Sequence, residues 1–200
     1  MNQSTAPRRA TLQRRTSETD ISVEVNLDGT GESAIETGVG FFDHMLTHVA
    51  RHGPLDLKVR AKGDLHIDDH HTVEDVGIVL GQAVGQALGD RAGIERYGQA
   101  IVPMDEALVL CAVDVSGRGM SVCQLEVGAE RVGEFATEMA PEFLRAFAHN
   151  AGLTVHVRQL DGSNAHHVLE AAFKALGRAL GMAMAKSDWV HGVPSTKGVL

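Results

Sequence analysis

Four of the eleven histidines in the 200-residue chain fall into two matching runs. His70-His71-Thr72-Val73-Glu74 and His166-His167-Val168-Leu169-Glu170 both read His-His-x-x-Glu, and both lead into apolar residues at helical spacing. On a helix, residues four apart lie on one face, so His70 with Glu74, and His166 with Glu170, can grip one ion between imidazole and carboxylate. The other histidine of each run, His71 or His167, is turned about 100° around the axis. It is poorly placed to join its neighbours and better placed to reach a second ion. Two such helices facing each other would build two metal sites, each drawing on both runs.

The runs stand at an offset of 96 (70 to 166), and the match continues downstream: Leu80 with Leu176, Gly81 with Gly177, Gly85 with Gly181. A fixed offset that extends past the motif marks an internal duplication. Val25-Asn26-Leu27-Asp28-Gly29 against Val113-Asp114-Val115-Ser116-Gly117 gives a second match, at an offset of 88 (25 to 113).

Further ligands are sought on the helix before each run. His44, His48 and His52 lie at i, i+4 and i+8, nearly one face of the first such helix. Aligning Leu55 with Leu153 sets Glu142 opposite His44, with His149 two turns beyond as the competing candidate. Imidazole plus carboxylate without thiolate suits Mn, Fe or Zn and excludes a sulfur-rich structural site. Four protein ligands per ion leave two open positions on a six-coordinate metal, which favours manganese(II).

The elements that must position these groups follow from periodicity. Residues 1–8 form a frayed tail, and Arg8 to Arg15 an exposed first strand. Ile21, Val23, Val25 and Leu27 alternate with polar residues as a half-buried strand does. Asp28-Gly29-Thr30-Gly31 predicts a hairpin turn, with Ser33 to Thr37 as the return strand. A helix is expected from Asp43, as cap, to His52, then a strand through Leu55, Leu57 and Val59, then the first motif helix to about Gly89. Asp90 to Gly98 reads as a connector. The second half repeats the order: a strand through Val109, Cys111, Val113 and Val115, a return strand Met120 to Glu126, a helix Glu138 to Asn150, a strand at Val155 and Val157, and the second motif helix to about Lys186. Each half reads strand, strand, helix, strand, helix. The fold class is α+β, internally duplicated, with a mixed β-sheet and two helices in each repeat. The repeats span 9–92 and 93–186, followed by a C-terminal tail, 187–200. With the motifs split between halves, neither half should function alone.

Composition narrows the classes. A formal net charge of −8 argues against general nucleic-acid binding, which needs a basic footprint. Cys111 and Cys123 sit in strand-like stretches and read as buried, reduced thiols. No apolar run approaches 18 residues and the N-terminus lacks a signal-peptide core, which points to a cytoplasmic protein without a membrane span.

Phe42-Asp43-His44-Met45-Leu46, Asp69-His70-His71-Thr72-Val73-Glu74-Asp75, Pro103-Met104-Asp105-Glu106-Ala107, Ser116-Gly117-Arg118, His166-His167-Val168-Leu169-Glu170-Ala171-Ala172-Phe173-Lys174-Ala175 and Pro194-Ser195-Thr196-Lys197-Gly198 stand in the collinear order of the imidazoleglycerol-phosphate dehydratases. The chain resembles that family over about residues 8 to 200. The resemblance implies the duplicated fold of the ribosomal protein S5 domain 2-like class. It also implies a lyase of histidine biosynthesis that removes water from imidazole glycerol phosphate to give imidazole acetol phosphate. The partners it implies are further copies of the chain, roughly 24 in a hollow cage, with two Mn2+ per subunit and sites at subunit interfaces.

Carried over by motif position, one ion takes His44, His71, His166 and Glu170, and the other His70, Glu74, His167 and Glu142. Some family members have His where this chain has Glu142. The chemistry explains the need for metal: the hydrogen to be removed is not acidic until the imidazole loses its own proton, and two Lewis acids at the ring nitrogens stabilise the imidazolate. The resemblance places Glu18 at the substrate for proton transfer, in a catalytic set with His71 and His167. Arg96, Arg118, Lys174 and Lys197, with the hydroxyls of Ser195 and Thr196, match family positions that hold the phosphate; the tail is expected to fold over the ligand. His52 is a further candidate for substrate contact. Two other readings of paired ions stay open, a two-metal phosphohydrolase and a metal-storing cage.

Overall fold

The computed structural model describes residues 7–200. The first repeat comprises β1 (Arg9–Arg15), β2 (Thr19–Asn26), β3 (Ser33–Glu36), α1 (Gly40–His52), β4 (Asp56–Gly63) and α2 (His70–Leu88). The second comprises β5 (Tyr97–Met104), β6 (Ala107–Asp114), β7 (Met120–Gln124), the two-residue strands β8 (Arg131–Val132) and β9 (Phe135–Ala136), α3 (Met139–Ala151), β10 (Thr154–Asp161) and α4 (Ala165–Met184). Each repeat forms a four-stranded mixed sheet, in the orders β1-β2-β4-β3 and β5-β6-β10-β7.

Strand alternation buries one face of each sheet: Ile21, Val23 and Val25 of β2 are buried, as are Val109, Cys111 and Val113 of β6. These faces meet the helices, and the helices meet each other crosswise. α2 packs on α3, and α1 on α4, so every helix pair joins the two repeats. Close approach at both crossings depends on glycine at matched positions. A Cβ on Gly81 would lie 2.5 Å from the Phe147 carbonyl oxygen, and one on Gly177 2.7 Å from that of Val49. One apolar core, including Phe42, Phe135, Phe143 and Phe173, runs through the layer between the sheets. No helix among the described residues is long and apolar enough to cross a membrane.

Several elements depart from expectation. The Asp28–Gly31 segment does not close a hairpin, because β4 inserts between β2 and β3: β2 pairs with β4 antiparallel, and β3 pairs with β4 parallel. The Asp56 carboxylate fixes this turn by accepting the amides of Thr30 (2.8 Å) and Glu32 (3.2 Å). In the second repeat β7 likewise runs parallel to β10. Asp43 does not cap α1, which starts at Gly40 after Val39; it lies inside the first turn and accepts the Thr37 amide at 2.9 Å, tying the connection to the helix. β5 begins inside the expected connector. Residues 1–6 of the expected frayed tail lie outside the described residues, but Arg8 does not belong to a loose tail: it forms an ion pair with Asp28 at 2.6 Å.

Candidate functional site

Each helix crossing brings one half of a motif against the helix before the other motif. At the α1–α4 crossing, Glu170 is buried and surrounded by donors. Its Oε2 lies 3.0 Å from His166 Nε2 and 3.2 Å from His44 Nε2, while its Oε1 lies 2.6 Å from Lys174 Nζ and 3.5 Å from His48 Nε2. Burial alone would raise the Glu170 pKa, but bonds from Lys174 and His166 outweigh it and hold the carboxyl at about 2. His48, packed edge-on to His44, is pushed down to about 4, chiefly by burial. It presents a neutral imidazole, the form a metal takes. Phe41 supports the site with its ring 5.1 Å from that of His166.

At the α2–α3 crossing, His70, Glu74 and Glu142 each offer one ligand atom, all within 4.8 Å of one another. His44, His48 and Glu170 form the corresponding group at the first crossing. Imidazole nitrogens and carboxylate oxygens gathered this closely fit a divalent ion of borderline hardness. The second group is charge-balanced differently from the first. Arg145, one turn after Glu142, bonds both Glu142 and Glu74, the latter at 3.0 Å. Glu142 thus joins the group where His149 does not.

The other histidine of each motif is in neither group. His71 Nδ1 lies 3.0 Å from Asp64, with Glu18 4.0 Å away; His167 Nδ1 lies 2.7 Å from Glu106. The neighbouring carboxylate raises the pKa of each histidine, and the His167 contact helps hold Glu106 at about 2. His52 stacks on His48 with ring centroids 5.7 Å apart.

The candidate phosphate cations divide. Arg96 lies against Asp114 at 2.8 Å and donates to the Pro194 carbonyl at 2.7 Å, which ties the C-terminal segment to this arginine. A side chain on Gly117 would run into Leu200, so the same segment also covers the turn that carries Arg118. Lys174 instead serves Glu170, and Ser195, Thr196 and Lys197 sit at or near the surface of the tail.

Sequence reasoning singled out neither Asp64 nor Arg145 and quoted Glu106 only within a motif. Their roles depend on loop and cross-helix geometry. His48 was visible on the His44 face without being chosen as a ligand. The arrangement as a whole can hold two cations and place a carboxylate near an imidazole, and it ties the C-terminal segment to Arg96.

Comparisons with known proteins agree with this chemistry. The family model for imidazoleglycerol-phosphate dehydratase matches residues 37–180. The chain is 62% identical over 193 residues to the imidazoleglycerol-phosphate dehydratase of Desulforamulus reducens, covering 96% of this chain and 98% of that protein. It is 60% identical to the protein of that name from Thermoanaerobacter pseudethanolicus, covering 96% and 100%. Among solved structures, the Pyrococcus furiosus enzyme superposes with a TM-score of 0.82 at 40% identity, covering 94% of this chain and all of that one. The Staphylococcus aureus enzyme gives 0.81 at 41%, covering 90% and 99%.

Proposed function

The chain belongs to the imidazoleglycerol-phosphate dehydratase family and is a hydro-lyase of histidine biosynthesis; from that premise we propose how its own residues divide the work. The reaction takes imidazole glycerol phosphate to imidazole acetol phosphate and water. One observation carries the proposal: each crossing between the repeats gathers a ligand group, His44–His48–Glu170 and His70–Glu74–Glu142.

In this reading two divalent ions, manganese by preference, are held per chain. The first takes His44 and Glu170 from its group, with His166, 3.0 Å from Glu170, in place of His48 and with His71 completing it; the second takes His70, Glu74 and Glu142, with His167 completing it. Because His71 and His167 stand outside the groups within one chain, the fourth ligand is assigned to a neighbouring copy, and the working form to the cage of about 24 subunits that the family resemblance implies. The ions supply Lewis-acid chemistry toward the imidazole ring of the substrate.

The remaining work falls to side chains. Glu18, on the exposed β1–β2 turn and 4.0 Å from His71 Nδ1, moves the proton on the carbon attached to the ring. Arg96 and Arg118 receive the phosphate with Lys197, Ser195 and Thr196, and the segment 187–200 closes over it; Arg96 already holds that segment through Pro194. Arginine forks suit phosphate oxygens and fix the substrate's distal end, so the reacting carbon meets Glu18 in one register. Lys174, drawn to Glu170, and His52, stacked on His48, line the first ion's side of the substrate. The reading treats 9–92 and 93–186 as the repeats and the cytoplasm as the compartment.

The test uses full-length chain stripped of divalent ions and then given Mn2+. Turnover should return with the metal and yield an enolisable ketone that keeps its phosphate. Full activity in the stripped protein would sink the metal reading, and release of inorganic phosphate would favour a hydrolase. His70→Ala and His166→Ala should each lower metal content and loosen assembly. Lys197→Ala should raise KM about 10-fold with kcat nearly kept, the loss of one exposed phosphate contact.

A further inference from the structure

The two repeats place a glutamate at one equivalent turn position and use it differently. Strands β1 and β2 fall on β5 and β6 at a constant offset of 88 (9 to 97, 19 to 107). Glu18 of the β1–β2 turn therefore corresponds to Glu106 of the β5–β6 turn, and each reaches the second histidine of its own repeat's motif, His71 or His167.

The difference lies in what else surrounds that histidine. In the first repeat Asp64 accepts from His71 Nδ1 at 3.0 Å, and Glu18 stands off at 4.0 Å. In the second repeat the position that matches Asp64, at the β4-to-β10 offset of 98 (56 to 154), is Gly162, which has no carboxylate, and the preceding Asp161 turns to the Gly162 amide. Glu106 fills the vacancy. Its Oε1 accepts the amides of Asn164 at 2.8 Å and Ser163 at 3.3 Å, and its Oε2 lies 2.7 Å from His167 Nδ1. Asn164 caps α4 and accepts the amides of His166 and His167. The Glu106 carboxylate is thus anchored to the segment that starts the motif helix, and its second oxygen is aimed at the ring.

An ionised carboxylate only accepts, so the proton it meets on imidazole is at Nδ1, and the lone pair is left on Nε2. We propose that Glu106 is a positioning residue: it fixes the tautomer and orientation of His167 so that Nε2 is the metal-binding atom, as Asp64 does for His71. The division explains why one turn glutamate is free for proton transfer and its duplicate is not. In the first repeat Asp64 holds the histidine and releases Glu18 to face substrate. In the second, Glu106 holds the histidine itself. Asp105 Oδ2, 3.5 Å from His167 Nε2, adds negative charge on the side where the cation would arrive. The inference rests on the two-ion reading above.

Glu106→Gln tests it. The variant keeps an oxygen for the Ser163 and Asn164 amides, but its NH2 donates toward Nδ1, which moves the ring proton to Nε2 and blocks ligation. Metal-free full-length protein is titrated with Mn2+, and the free-ion signal is followed by electron paramagnetic resonance. The parent should bind two ions per chain. Glu106→Gln should keep one at parental affinity and weaken the other 10- to 100-fold, the usual cost of losing such an outer partner. Asp64→Asn should do the same to one ion, and the double variant should weaken both. Two ions bound by Glu106→Gln at parental affinity would overturn the positioning role while leaving the metal reading intact. Equal weakening of both ions together with lost helical circular dichroism would overturn it as well, marking the turn as structural. No Mn2+ bound by the parent would remove the metal reading and this inference with it.

Discussion

The α1–α4 and α2–α3 crossings are built from the same duplicated parts and end with different electrostatics. Both bring a motif helix against a helix of the other repeat, and both need glycine where backbones touch, Gly177 and Gly81. Yet the first gathers His44, His48 and His166 around one glutamate, with Lys174 one turn along the same helix. The second gathers two glutamates and one histidine, with Arg145 supplied from the opposite helix. Duplication therefore dictates where donor atoms stand, because that follows from helix packing. It does not dictate how their charge is balanced. A buried or half-buried carboxylate needs a cation from whichever side chain can reach, and each crossing found its own.

Four tests, using six substitutions, would break or sharpen that contrast. The largest effect is expected from Glu18→Gln, which should cut kcat by about 1,000-fold while two ions remain bound; steady-state rates and metal analysis on one preparation decide it. If Glu18 lost metal instead, the distinction between the two turn glutamates would fail. Next, Gly177→Ala should destabilise the chain by about 1–3 kcal/mol, read as a lower thermal midpoint, since the methyl meets backbone rather than a movable side chain.

The third concerns pH. Asp56, cradled by the Thr30 and Glu32 amides, has its pKa lowered from 3.8, chiefly by the Thr30 bond. A carboxylate depressed on folding stabilises fully above its unfolded value, and that contribution drains away as pH falls through the lower folded value. Asp56→Asn should therefore cost about 1.5 kcal/mol at neutral pH, with the gap to the parent closing as pH falls below the ordinary carboxylate value of 3.8. At the matching position of the second repeat Thr154 makes a neutral bond to Ser116 at 2.9 Å, so Thr154→Val should show a cost independent of pH in denaturant titrations. The smallest effect separates two matched glycines. A Cβ on Gly181 would sit 2.9 Å from the Gly53 carbonyl oxygen, whereas one on Gly85 finds ordinary contacts from 3.5 Å. Gly85→Ala should raise stability by about 1 kcal/mol through helix propensity, and Gly181→Ala should lower it.

Much of the architecture was legible in the sequence because duplication and i,i+4 spacing are local properties. The motif helices, their offset and the α+β class follow from residues that can be read in order. The two motif helices were expected to face each other, but each instead meets the helix before the other motif; the grouping of His44 with His166 and Glu170, and of Glu142 with His70 and Glu74, came from the family resemblance and not from that geometry. The parallel placement of β3 and β7 was not legible, because it depends on the helix returning the chain alongside the strand it left. Turn chemistry at Asp28–Gly31 looks the same whether the next strand pairs back or moves aside; the deciding residue, Asp56, stands well downstream. β5 was missed since Tyr97, Gly98 and Gln99 alternate weakly, although the offset of 88 carried back to β1 would have located it. Arg145, Asp64 and Glu106 act through contacts across loops and helices that no periodicity encodes.

The crossed pairing of helices has an evolutionary corollary. A polypeptide of half this length, dimerised about a twofold axis, would already own both crossings, and symmetry would force them to be identical. Fusing the copies into one gene lifts that constraint, so that one ancestral position could drift to histidine at 44 and glutamate at 142. The asymmetry between the crossings is a freedom that tandem linkage allows and that a symmetric dimer of identical halves would lack.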